Sequence, residues 1–150
     1  MKLSKNFSLN EMTRSYTATK KGIENTPNDP QIENLRILCD NVLQPLRDAL
    51  GPITISSGFR SIKLNTAIGG SGTSQHCALK GAASDIDLGS RNAEVFNYIK
   101  DNLVWDQLIW EFGDTDENPS WVHVSFNKDN NRKQILKAIK QNGKTKYINF

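Results

Sequence analysis

Apolar residues recur at Ile32, Leu35, Leu38, Cys39, Val42, Leu43, Leu46 and Leu50. Steps of three and four place them on one helical face, so this stretch reads as the main core helix. Asp29-Pro30 supplies its N-cap and first-turn proline, and Gly51-Pro52 ends it. Pro45 cannot donate to the backbone ladder, which predicts a kink there or a break into two helices. A second helix, with Val95, Phe96, Ile99 and Leu103 inward, follows a Gly89-Ser90 cap. Residues 62–68 form a shorter one on Leu64 and Ile68, and residues 132–140 read as a basic helix on Ile135, Leu136 and Ile139. Strands are predicted at 53–57, at Asp85-Ile86-Asp87-Leu88, at 106–112 and at 121–126. In the third, Leu108, Trp110 and Phe112 share a face opposite Gln107, Ile109 and Glu111; in the fourth, Trp121, His123 and Ser125 oppose Val122, Val124 and Phe126.

The ends are less patterned. Residues 1–30 read as a short helix and a loop wrapping the body: Ser8 with Glu11 is a capping-box pair around Leu9 and Met12, and 15–29 are mostly polar. Residues 141–150 read as a C-terminal tail, with Tyr147-Ile148-Asn149-Phe150 as a short strand or part of that tail.

Composition narrows the class. A chain of 150 residues, 37% hydrophobic, suits one domain with a real core. The net charge of +3 is spread along the chain, densest in the last twenty residues, and fits attraction to an anionic polymer such as cell wall. No interleaving of aromatic and basic residues points to nucleic acid. Cys39 and Cys77 are too few for a disulfide framework and read as reduced thiols. The N-terminus lacks the apolar core of a signal peptide and no stretch approaches the ~20 apolar residues of a membrane span. The expectation is synthesis in the cytoplasm, with action elsewhere only after release or as part of a virion.

The candidate chemistry sits on the chain's two histidines. His76, in Ser74-Gln75-His76-Cys77, is followed nine residues later by Asp85, and His123 lies mid-strand between valines. Two imidazoles and a carboxylate make a three-ligand set of the kind catalytic zinc uses, with a fourth position for water. Either Asp85 or Asp87 can face the metal, Cys77 is a softer alternative ligand, and a pair of hydrogen-bonded structural histidines is the plain alternative. Arg60, just beyond a strand end, has the donor fork for a substrate carboxylate or an oxyanion, or is a solvated surface arginine. The run Gly69-Gly70-Ser71-Gly72 has no phosphate-loop lysine and reads as a rim.

Several motifs occur in consistent order: Phe7-Ser8-Leu9-Asn10-Glu11-Met12, Val42-Leu43-Gln44-Pro45-Leu46-Arg47, Ser56-Ser57-Gly58-Phe59-Arg60-Ser61, Leu64-Asn65, Gly69-Gly70-Ser71, Ser74-Gln75-His76, Gly81-Ala82-Ala83-Ser84-Asp85-Ile86 and Trp121-Val122-His123-Val124-Ser125. Together they resemble the D-alanyl-D-alanine carboxypeptidase and L-alanyl-D-glutamate endopeptidase family of zinc peptidases, in particular its small phage-associated and bacterial branch. The resemblance implies the hedgehog/DD-peptidase fold, an α+β single domain with a small antiparallel sheet packed against helices, one Zn2+ held by His76, Asp85 and His123, Arg60 at the substrate or oxyanion, and hydrolysis of peptidoglycan stem peptides. Ser74 and Trp121 become candidates for orienting the metal-bound histidines or lining the groove. The expected protein is a monomer that binds neither nucleic acid nor membrane.

Two departures stand out. The usual histidine-to-aspartate spacing is shorter by two residues and would fall on Ala83, so the Gly-x-Ala-x-Asp anchor selects Asp85, with Asp87 as fallback. Many relatives carry their catalytic carboxylate three residues before the last histidine, where this chain has Ser120. A serine cannot take a proton from activated water at neutral pH without help. Glu111, ending a strand that can lie beside that of His123, is the expected base, ahead of Asp114, Asp116 and Glu117. The missing carboxylate also supports a different expectation, a zinc-containing wall-binding or virion structural module without turnover.

Overall fold

The alternating run around His123 becomes an inner strand of a six-stranded sheet. In the computed structural model, which describes residues 1–113 and 116–150, the strands are β1 (Ile55–Ser57), β2 (Ala82–Ile86), β3 (Gln107–Glu111), β4 (Trp121–Phe126), β5 (Gln134–Gln141) and β6 (Lys144–Asn149). Their order is β1-β2-β4-β3-β5-β6. Side chains alternate across it. Ile86, Leu108, Trp110, Val122 and Val124 point into the main core, while Asp85, Ile109, Glu111 and His123 share the other face.

Helices complete the fold. They are α1 (Leu9–Thr13), α2 (Tyr16–Lys21), α3 (Asp29–Leu38), α4 (Gln44–Leu50), α5 (Ile62–Ala67) and α6 (Asn92–Asn102). Leu35, Leu38, Leu46, Val95, Phe96 and Ile99 are fully buried with the strand residues in one cluster. Each contributes about 1.5–3 kcal/mol of transfer free energy, with packing added. The expected break in the long helix is a π-helical turn, Cys39–Leu43, directly ahead of α4. The helix runs on through this turn in right-handed conformation, and Pro45, which has no N–H to donate, follows it directly. The cap of α3 is Asn28 rather than Asp29, in a full capping box with Gln31.

Six other expectations are corrected. Residues 132–140 are not a basic helix: 134–141 form β5, parallel to β3, so the sheet is mixed rather than antiparallel. Short apolar runs fit either period, and here strand pairing decides. The turn after β5 has Asn142 at φ 53° and Gly143 at φ 76°, the positive values that a two-residue hairpin loop demands. The tail at 141–150 is therefore mostly β6, and Phe150 beyond it lies 5.4 Å, ring to ring, from both Phe96 and Trp110. The loop at 15–29 contains α2, capped by Ser15 Oγ on the Ala18 N–H and closed by left-handed Gly22. Gly89-Ser90 belongs to a 3-10 turn, and α6 starts at Asn92 with no side-chain bond from its N-cap, Arg91. Phe112 does not share the face of Leu108 and Trp110: at φ 57° it leaves the strand, and its ring packs 5.4 Å from Trp121.

Among the described residues no helix is long and apolar enough to cross a membrane. Cys39 and Cys77 are both free and buried.

Candidate active site

His76 sits on a short 3-10 turn, Gln75–Cys77, that Ser74 starts by accepting the His76 N–H on its hydroxyl at 3.2 Å. Ser74 thus positions His76 through the main chain. The imidazole is 4% exposed, and its Nδ1 lies 2.7 Å from the Gly58 carbonyl oxygen. A carbonyl only accepts, so Nδ1 carries the proton and the Nε2 lone pair is left for a ligand.

Asp85 and His123 are cross-strand partners on β2 and β4. Asp85 Oδ1 lies 3.0 Å from His123 Nδ1 and 3.4 Å from His76 Nε2. The imidazole rings meet edge to face at 5.1 Å. One donor atom from each of the three falls within 4.8 Å of the others. Burial pushes the Asp85 carboxyl up, but the two histidines outweigh it and hold the group well below the usual carboxylate range. Two imidazole nitrogens and an ionised oxygen, one ring already oriented by a backbone carbonyl, suit a zinc ion. Asp87 is exposed beyond β2, accepting from the Gly89 N–H and Asn92 Nδ2, and takes no part in the cluster. Cys77 is also outside it, its thiol pushed up by burial.

Arg60 borders the trio, with a guanidinium nitrogen 3.7 Å from Asp85 Oδ2. Its Nε donates to Ser57 Oγ at 3.3 Å, and its backbone N–H donates to the His76 carbonyl at 2.9 Å. Asn25 brackets it: Nδ2 donates to the Phe59 carbonyl and Oδ1 accepts from the Ser61 N–H. The side chain is 18% exposed, so it is part of the site and not a surface arginine.

Glu111 ends β3 on the same face, two residues beyond Ile109, the partner of His123. It is 6% exposed. Burial raises its carboxyl to about 7; the Asp85 charge adds to this, and His123 and Arg60 work against it. The other carboxylates fare differently. Asp116 is exposed and held by Lys137 on the opposite face of β5, Glu117 is exposed, and Asp114 lies outside the described residues. Ser120 is exposed, its N–H given to the Glu111 carbonyl. Trp121, the partner of Glu111, lines the site as a wall.

These groups open on a cleft of about 590 Å³. Its far side is the β5–β6 hairpin, which brings Leu136, Lys140, Thr145 and Tyr147 to the lining. Three contributors escape a reading of the sequence. Gly58 was legible only as part of the Ser57-Gly58-Phe59-Arg60 run, Asn25 stood in an unpatterned loop, and Tyr147 was hidden by the tail. A buried carboxylate, Asp106, ties the parts together: Gln75 beside His76 donates to it at 2.8 Å, and Arg132 at the head of the hairpin donates to it at 2.9 Å.

Comparison with known proteins agrees with this geometry. The Peptidase M15 family model matches residues 5–125. The zinc D-Ala-D-Ala carboxypeptidase of Streptomyces albus G is 43% identical over 51 residues, 33% of this chain and 19% of that protein. The match to that relative is thus local, whereas the family match takes in the Gln75–Cys77 turn, β2, β3 and β4 as far as Ser125, and so every residue of the metal-donor cluster; the chain belongs to the Peptidase M15 family.

Proposed function

We propose that this protein is a zinc peptidase that hydrolyses peptide bonds in peptidoglycan stem peptides, as a DD-carboxypeptidase or an LD/DD-endopeptidase. The observation that carries this reading is the convergence of His76, Asp85 and His123, from three separate segments, beside a buried glutamate. The metal ligands in this reading are His76 through Nε2, His123 through Nδ1 and Asp85 through its carboxylate.

Zinc held there supplies a Lewis acid that polarises the scissile carbonyl and lowers the pKa of water towards ~7. The residues of the chain do the rest. Glu111 takes a proton from the attacking water and returns it to the leaving amine nitrogen. In the metal-free chain burial holds this carboxyl at about 7, and a bound dication would draw it down, towards the ionised base that the first transfer needs. Arg60, aligned by Ser57 and bracketed by Asn25, donates to the tetrahedral oxyanion or to a substrate carboxylate. Gly58 holds the His76 ring and Ser74 its backbone, while Trp121 and Phe112 wall the cleft. A monomer suffices, because one chain supplies every group.

The exposed serine at position 120 supports a second reading, a wall-binding or virion module that keeps the metal without turnover. Zymography on purified peptidoglycan, with zinc content measured on the same samples, separates the two. Clearing by the native chain and none by a zinc-replete Glu111→Gln supports the hydrolase. Equal clearing by both removes Glu111 from its role, and clearing by neither favours the module. Mass spectrometry of the released muropeptides names the bond.

A further inference from the structure

The β5–β6 hairpin lies beyond residues 5–125, so the family match assigns it nothing, yet it forms one side of the cleft. Its register explains how. Trp121, Glu111, Ala138 and Tyr147 are successive cross-strand partners on β4, β3, β5 and β6, a single row on the site face of the sheet. Between Glu111 and Tyr147 stands only the methyl of Ala138, which is fully buried and absent from the main core cluster. The small residue leaves the phenol free to lean towards Glu111. Consistent with that approach, burial and the charges of Glu111 and Asp85 push the Tyr147 hydroxyl above its ordinary range, keeping it a donor.

One row further along, Lys140 pairs with Thr145. Its Nζ donates to the Thr145 hydroxyl at 3.1 Å and lies 5.3 Å from the centre of the Phe112 ring. Among the described residues it meets no carboxylate, whereas Arg132 and Lys137 on the same strand and its approach are each bound to an aspartate. Among the described residues, Lys140 is thus a cation of the cleft lining that no carboxylate neutralises.

We propose that the β5–β6 hairpin is the substrate-discriminating wall of this active site: Tyr147 donates a hydrogen bond to the bound peptide beside Glu111, and Lys140 pairs with a free carboxylate of that peptide. This rests on the peptidase reading above and names the groups that select its substrate. Both residues contact substrate and neither takes part in the proton transfers.

The test uses the zinc-loaded full chain and the pentapeptide L-Ala-D-γ-Glu-L-Lys-D-Ala-D-Ala, with a second copy carrying its carboxylates as amides. Binding is measured by calorimetry in the Glu111→Gln background, and cleavage with Glu111 present. Lys140→Gln is expected to weaken binding about three- to fivefold, as for an exposed ion pair, and to have no effect on the amidated peptide. Tyr147→Phe is expected to weaken both peptides about fivefold. Lys146→Gln, which removes the same charge from the opposite face of β6, leaves both unchanged. Equal behaviour of Lys140→Gln and Lys146→Gln, native binding by Tyr147→Phe, or no binding of the pentapeptide at all overturns the proposal. Cleavage that proceeds normally in both hairpin variants overturns it while leaving the hydrolase standing. Selective loss of binding without any cleavage by the native chain leaves the hairpin standing and overturns the hydrolase.

Discussion

The Nδ1 of His76 lies 2.7 Å from the carbonyl oxygen of Gly58, a residue eighteen positions earlier and on the far side of α5 in the chain. That contact selects the tautomer and aims Nε2 at Asp85. It exists because Gly58 can approach α1 closely: a Cβ there would meet the Met12 carbonyl oxygen at 2.3 Å, and the Phe59 N–H donates to that same oxygen at 2.7 Å.

Gly58→Ala is therefore expected to displace the carbonyl that orients His76. Zinc affinity should fall about 10 to 100-fold, and stability by about 1–3 kcal/mol from overpacking. Chelator competition and thermal melting measure the two. Native values for both would mean that the loop relaxes without moving the carbonyl.

Glu111→Gln keeps the shape of the side chain and removes the proposed base. Turnover should drop about 10² to 10⁴-fold with the metal retained. Restoring a carboxylate at the serine position, as Ser120→Glu in the Glu111→Gln background, should recover little, because Ser120 is exposed and its backbone faces Glu111. Muropeptide release followed by chromatography gives both rates.

The raised pKa of Glu111 carries a sign. In the metal-free protein the folded state keeps this proton to about pH 7, against an ordinary value of 4.5. The stabilising effect of protonation is complete below pH 4.5 and is lost as pH rises through about 7, on the order of 3 kcal/mol in total. Glu111→Gln should remove that slope, so the variant gains on the native chain between pH 5 and pH 8 in urea unfolding with chelator present. A constant difference across that range would show that the carboxyl titrates normally.

Asp106 is 2% exposed and receives Gln75 Nε2 together with the Arg132 guanidinium and backbone N–H. Asp106→Asn removes the charge that these donors share, and should cost about 1.5–3 kcal/mol. Because Gln75 adjoins His76 and Arg132 leads into β5, both the metal-binding turn and the hairpin should loosen. Amide hydrogen exchange should rise at 74–78 and at 132–136 together; a rise at only one would uncouple them.

How much of this was legible in the residues differs by element. The helix face from Ile32 to Leu50 and the strand around His123 were plain, because burial imposes a period and the period repeats long enough to be counted. The metal-donor trio was legible by residue type and by resemblance, and the structure brings the same three side chains together. Glu111 was placed on the correct face by alternation alone. The C-terminal hairpin was misread because Ile135, Leu136 and Ile139 satisfy a helical spacing, and its β identity comes from pairing with β3, a contact to residues almost thirty positions away. Asn142-Gly143 was the local signal for it. Asn25 left no signal, since a loop asparagine that brackets an arginine is indistinguishable from one facing water.

The register of β2 against β4 has one more effect. Asp85 and His123 stand opposite each other across adjacent strands, and His76 docks onto them from outside the sheet, so an ion in that place would fasten three parts of the chain that the unfolded polymer keeps apart. Cofactor occupancy and resistance to unfolding become a single quantity, since an unfolded chain has no such pocket to offer. Metal starvation would thus expose the protein to proteolysis as well as silence it.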